Sequence, residues 1–170
     1  MSDLNGKVAV VTGGGGVLCS AMCKDLAARG ANVAVLDLFP EKCRETVDQI
    51  QAAGGRAVAV QADVLNRENL EQAAQQIHET FGPIDILING AGGNKKEATA
   101  NDEMSFFDIP PDAIQWVFNL NCLGTILPCQ IFVPDMVDKG EGVVVNVASM
   151  AGIRPLTRVL AYSAAKAAIA

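Results

Sequence analysis

Lys7-Val8-Ala9-Val10-Val11-Thr12-Gly13-Gly14-Gly15-Gly16-Val17-Leu18-Cys19 is the stretch that decides the fold. Lys7 to Thr12 is a β-branched run without polar alternation, the pattern of a short strand buried on both faces. It breaks off into four glycines. Val17, Leu18, Ala21, Met22 and Leu26 then recur at helical spacing, with Lys24, Asp25 and Arg29 opposite, and Gly30 stops the helix. A strand that passes through glycines into a helix aims the helix's first N–H groups outward. The missing side chains let the backbone approach an anion closely.

The same alternation continues outward from this unit. Asn32 to Asp37 reads as a second strand, and Pro40 opens a helix closed by Gly54 and Gly55. Arg56 to Gln61 is a third strand. Asn66 is placed to cap a helix whose apolar stripe is Leu70, Ala73, Ala74, Ile77 and Phe81, ended by Gly82-Pro83. Ile84 to Ile88 is strand four. The polar stretch from Gly92 to about Ile109 is too long for an ordinary connection and reads as a binding segment. Pro110-Pro111 opens a helical region to about Lys139, where Pro128 and Pro134 predict a kink or a split. Gly142 to Ala148 is strand five, and an Ala-rich helix begins near Ala161. Five strands of this kind, each linked to the next through helix, imply one α/β domain over residues 1–170 with a parallel, doubly wound, Rossmann-type sheet.

Composition agrees. The 170 residues are 50% apolar and 19% charged, with 16 glycines and a net charge of -6. That excess of acid argues against nucleic-acid or anionic-membrane partners, which draw on clustered Lys and Arg. Asp3 precedes the first apolar run, unlike the basic start of a signal peptide, and no window has the apolar length of a spanning helix. Cys19, Cys23, Cys43, Cys122 and Cys129 form no CxxC pair. They read as reduced thiols packed in a cytoplasmic protein, with no metal site. His78 shares a polar face with Glu71 and Gln75 and reads as a surface histidine; Trp116 and Phe118 read as packing residues.

Two constellations carry chemistry. The turn of Thr12, Gly13, Gly15, Gly16, Val17 and Leu18 offers a seat for a pyrophosphate. Asp37, at the end of strand two and 24 positions beyond Gly13, can accept both ribose hydroxyls of an adenosine while repelling a 2′-phosphate. NAD is therefore expected in preference to NADP. Tyr162 and Lys166, four apart on one helix, share a face, and Ser149 lies just past strand five on the carboxyl edge of the sheet. A phenol of ordinary pKa (~10) is a poor base at neutral pH, but an adjacent ammonium and a cationic nicotinamide both favour the phenolate. A serine hydroxyl beside it can bond the substrate oxygen.

Together with Asp63-Val64, Asn89-Gly90-Ala91-Gly92, Asn121-Cys122-Leu123-Gly124 and Val145 to Ser149, these residues resemble the short-chain dehydrogenase/reductase family in order and spacing over essentially the whole chain. The resemblance implies a catalytic tetrad of Asn121, Ser149, Tyr162 and Lys166. Tyr162 would be the acid/base, Ser149 would hold the substrate oxygen, and Lys166 would bind the nicotinamide ribose. Asn121 would hold a water in a proton relay. Asp63 and Val64 would meet the adenine, with Asn89, Ala91 and Gly92 lining the cofactor. The GGGGVL, NGAGGN and FNLNCLGTILP stretches and the segment from Ser149 to Ala168 look most like sugar-acid oxidoreductases of the D-mannonate oxidoreductase (fructuronate reductase) type. On that reading Arg154 faces a substrate carboxylate, with Lys95 and Lys96 as further candidates.

Three departures from the family pattern stand out. Val17 and Cys19 replace the middle and last glycines of the usual turn, and cysteine there should loosen the helix–strand fit modestly. Gly90 replaces the more usual Asn or Ala. The third is length, since final helices, two strands and a substrate lid would follow residue 170. The expectation is that the 170-residue form is inactive, poorly soluble and a weak NAD binder, with strand five as an apolar sheet edge, and that the longer form is a homotetramer or homodimer. The alternatives are a cofactor-binding chain without turnover and an epimerase or dehydratase of the family's extended branch.

Overall fold

The computed structural model describes residues 4–154 and 156–170; Asp3 and Pro155 lie outside the described residues. Strands β1 (Val8–Thr12), β2 (Asn32–Asp37), β3 (Arg56–Gln61), β4 (Ile86–Asn89) and β5 (Val143–Asn146) form one sheet in the order β3-β2-β1-β4-β5, every pair parallel. Helices α1 (Val17–Ala28), α2 (Pro40–Ala52) and α3 (Arg67–Phe81) connect the first four strands. The remainder is α4 (Pro111–Phe118), α5 (Gly124–Phe132), α6 (Pro134–Lys139), α7 (Met150–Ile153) and α8 (Leu160–Ala167).

Both sheet faces are apolar because successive strand side chains point to opposite sides. Val10, Leu36, Val60 and Leu87 join Leu70, Ile77 and Phe132 on one face, while Val11, Val33, Val35 and Ile88 meet Cys23, Cys43, Val47 and Ile50 on the other. This is the doubly wound arrangement read from the unbroken apolar runs. Asn66 caps α3 as expected, its side chain accepting from the Asn69 N–H at 3.1 Å.

The pairing places Thr12 beside Leu36 on one side and Asn89 on the other, with Asn146 beside Asn89. The carboxyl ends of β2, β1, β4 and β5 therefore form one rim. Strand order reverses between β1 and β4, and this is where a doubly wound sheet opens a crevice for a ligand.

Strand β5 lies at the sheet edge, as expected, and all four of its residues are exposed. Two other readings need correction. Pro128 does not break its helix; it is buried inside α5, and the breaks fall at Val133, before Pro134, and at a π-helical turn over Asn119–Leu123. The long segment after β4 carries two 3-10 turns, Lys96–Ala98 and Phe106–Asp108.

Candidate active site

A cleft of about 490 Å³ opens at the switch point, lined among others by Gly13, Gly16, Val17, Leu18, Asp37, Asp63, Val64, Ala91, Gly92 and Leu120. Its floor is the glycine turn. Gly13 has φ 67°, and a Cβ there would lie 2.9 Å from the Ala91 nitrogen, so the turn and the segment after β4 are in mutual contact. Helix α1 starts at Gly16 without a side-chain cap and without an acid in its first turn. Its opening N–H groups are thus left to an outside acceptor, and the partial positive charge of the helix end favours an anion. Val17 is 95% exposed, which fits a residue that a bound group would cover.

Asp37 stands where β2 meets this cleft. One carboxylate oxygen accepts from the Gly15 N–H at 3.1 Å and the other from the Phe39 N–H at 3.2 Å. Each oxygen keeps a free lone pair for a hydroxyl. Gly15 and Thr12, expected to line the cofactor, do not line the cleft but build it. Gly15 orients Asp37. Thr12 is fully buried, and its hydroxyl oxygen accepts from the Gly90 and Ala91 N–H groups, both at 3.1 Å. Asn89 is likewise turned away: its side chain is buried, with Nδ2 donating to Asn146 Oδ1 at 3.0 Å and to Cys129 Sγ. It ties β4 to β5, and the cleft wall is made by the residues after it. Trp116, expected as packing, is 41% exposed and lines the cleft.

Cys19 and Gly90, two separate departures in sequence, are one feature in space. The Cys19 sulfur rests against Gly90, so close that a Cβ at position 90 would collide with it. Cys19 is 4% exposed. The thiol fills the room that Gly90 leaves. Burial pushes this thiol's pKa up, so it remains a neutral packing group.

Lys166 and Asn121 meet at Gly92 at the far end, with Tyr162 beside Lys166. Lys166 of α8 is 5% exposed, and its Nζ donates to the Val147 carbonyl at 2.8 Å. A Cβ on Gly92 would lie 3.2 Å from that Nζ and 2.7 Å from Asn121 Oδ1. Burial holds the Lys166 ammonium below the usual lysine range. The same ammonium lies 5.9 Å from the Tyr162 ring centroid, and Tyr162 is half-buried. Ser149 Oγ accepts from the Ala151 N–H at 3.1 Å, capping α7, which leaves its O–H free to donate.

Asn121 sits in the π-helical turn, fully buried, and grips Gly93 from both sides: Oδ1 accepts from the Gly93 N–H at 3.1 Å and Nδ2 donates to the Gly93 carbonyl at 2.6 Å. Nδ2 also donates to the Val117 carbonyl. Both amide hydrogens are committed, so this side chain positions the cleft wall instead of offering a donor to a relay water.

The lead-in to α8 is held as well. Arg158 is the one non-glycine residue with positive φ among the described residues, at 73°. Its carbonyl accepts from the Ala100 N–H at 2.8 Å, and its guanidinium reaches Asp102. Arg154 is exposed after α7, with no carboxylate partner among the described residues. His78 lies away from the cleft, 2.7 Å from Asp135. Among the described residues no group of three His, Cys, Asp or Glu is placed to hold a metal ion, and no helix is long and apolar enough to cross a membrane.

The family model for short chain dehydrogenases matches residues 7–170. The chain belongs to the short chain dehydrogenase family. An uncharacterised oxidoreductase of Haemophilus influenzae is 44% identical over 177 residues, covering 98% of this chain and 62% of that protein. A crystal structure of a Haemophilus protein assigned as a D-mannonate oxidoreductase, with bound NAD, superposes with a TM-score of 0.94 at 44% identity, covering 98% of this chain and 63% of that one. An NAD+-bound xylitol dehydrogenase superposes with a TM-score of 0.90 at 31% identity, covering 99% and 62%. This short chain dehydrogenase sequence thus spans a little over three-fifths of the length of those relatives.

Proposed function

We propose that the protein carrying this chain is an NAD(H)-dependent oxidoreductase that interconverts a secondary alcohol and a ketone on a sugar acid, with D-mannonate and D-fructuronate as the pair to test. The observation that carries the reading is the meeting of Lys166, Asn121 and Gly92 at the end of a cleft whose other end presents an uncapped helix N-terminus and Asp37. Gly13, Gly16, Val17 and Leu18 would seat a pyrophosphate, Asp37 an adenosine ribose, and Asp63 and Val64 the adenine. A bound nicotinamide supplies the hydride acceptor or donor.

The chain's own residues do the rest. The Ser149 hydroxyl donates to the substrate oxygen and holds it. As a phenolate, Tyr162 takes the hydroxyl proton during oxidation, and as the phenol it returns a proton to the substrate oxygen during reduction. The Lys166 ammonium, fixed by the Val147 carbonyl, would bind the nicotinamide ribose. Arg154 offers a guanidinium to a substrate carboxylate. The sugar-acid assignment draws support from the Haemophilus relative, and self-association from exposed Ile114, Phe118, Leu123 and Ile126 on α4, α5 and the turn between them. The buried free thiols support a reducing, cytoplasmic setting.

The test is a substrate panel with NAD. Preferential turnover of D-mannonate or D-fructuronate over neutral polyols and steroids is expected, with Arg154→Ala raising KM for acids more than for neutral sugars. Equal rates across the panel would refute the sugar-acid part, and absence of NAD binding would refute the whole.

A further inference from the structure

Lys95 opens the long segment after β4, and its ammonium has been left without a carboxylate. Its only side-chain partner among the described residues is the ring of Trp116, with Nζ 5.4 Å from the centroid.

The backbone that presents it is held firmly. Two residues upstream, Gly93 is gripped in both directions by Asn121. The Lys95 carbonyl accepts from the Thr99 hydroxyl at 2.9 Å and from the Ala98 N–H at 3.0 Å. Ala98 is buried against Ala113, Val117 and Ala161, the cluster on which Tyr162 packs. Trp116, meanwhile, lines the nucleotide cleft. The ammonium therefore lies over a residue that lines the cleft, on a segment whose Ala98 packs in the cluster that Tyr162 joins. A cation held only by an aromatic face is one that an incoming anion can claim without breaking an ion pair.

We propose that Lys95 is the carboxylate receptor of this active site, with Trp116 holding its ammonium ready; this rests on the sugar-acid reading above and names the residue that makes the acid group count. Arg154, exposed beyond α7, is then an auxiliary contact at the rim.

The experiment compares Lys95→Met and Lys95→Arg with the wild type in the full-length protein. It measures KM and kcat for D-mannonate, KM for a neutral polyol, and Kd for NAD. Lys95→Met is expected to raise KM for D-mannonate by about tenfold while leaving kcat, the polyol KM and NAD binding close to wild type. Lys95→Arg should restore the D-mannonate KM. If NAD affinity falls in step, the cation serves the cofactor's pyrophosphate and the proposal is overturned. An unchanged D-mannonate KM in an otherwise active Lys95→Met enzyme overturns it alone, with the sugar-acid reading intact. A wild type that ignores sugar acids overturns both.

Discussion

Adding one methyl group at Gly90 should disturb the cofactor site measurably. An alanine Cβ there would collide with the Cys19 sulfur and lie 2.8 Å from the Thr12 carbonyl, while the Cys19 Cβ, at 3.6 Å, is in ordinary contact. Thr12 is the last residue of β1, fully buried and paired on both sides, so its carbonyl yields little. The strain must pass into α1's first turn or into Gly90–Gly92, the two walls that meet the nucleotide. Overpacking of this kind costs about 1–3 kcal/mol. If half of that appears in binding, the NAD dissociation constant of Gly90→Ala rises roughly threefold to tenfold. Calorimetric titration with NAD, paired with thermal melting of the free protein, reads both shares. Cys19→Ala removes the sulfur and leaves the Thr12 contact. The double variant should therefore recover part of the loss, with a coupling of about 0.5–2 kcal/mol. Strict additivity of the two single changes would show that Cys19 and Gly90 do not press on one another and would refute the reasoning.

Other outcomes follow from the same geometry. NAD should bind more tightly than NADP by about 1–3 kcal/mol, because a 2′-phosphate would meet the Asp37 carboxylate at short range; competitive titration checks this, and Asp37→Asn should narrow the gap. Tyr162→Phe should abolish turnover in the full-length enzyme with NAD affinity nearly unchanged, since the ring stays and the proton carrier goes; steady-state rates and NAD titration separate the two. Asp85 gives an acid-stability signature. Partial burial pushes its carboxyl up, but Lys139 at 2.8 Å, the Val8 N–H and Lys7 outweigh this and hold it below the usual carboxylate range. Its stabilising contribution is then present above the ordinary carboxylate pKa of ~3.9 and lost as pH falls through the lowered value. Asp85→Asn should cost about 1–2 kcal/mol at neutral pH and flatten the loss of stability on acidification, as followed by denaturant melts across pH.

Much of the fold was legible because its strands are buried on both faces. Runs such as Val8–Val11 and Val33–Leu36 carry no alternation to mislead, and glycines mark where they end. β5 looks the same in composition, Val143-Val144-Val145; its place at the sheet edge was expected, but an apolar run alone does not announce that all four of its residues are exposed. The four-residue helix α7 is too short to show a period, and the π-helical turn at Asn119–Leu123 differs from its neighbours only in hydrogen-bond register. At the site, the residue types pointed to the rim where the cleft opens, but not to which side chains turn toward it. Thr12, Gly15 and Asn89 belong to the motif, yet they brace the cleft from behind, a distinction that depends on side-chain direction. The Cys19–Gly90 contact spans 71 positions and no local pattern announces it, although two unusual residues in adjoining motifs were the signal available.

The left-handed turn at Arg158 bears on how quickly the site can change shape. The long segment after β4 cannot swing away from α8 without breaking the bond from Ala100 to the Arg158 carbonyl, a loss of about 0.5–1.5 kcal/mol. Once that bond is gone, Arg158 is free to leave a conformation that costs an arginine about 1–2 kcal/mol. The two amounts nearly cancel. What fastens the segment beside Tyr162 is therefore less that bond than the packing of Ala98 against Ala113, Val117 and Ala161, so a change that empties this small apolar cluster would loosen the segment more than loss of the bond.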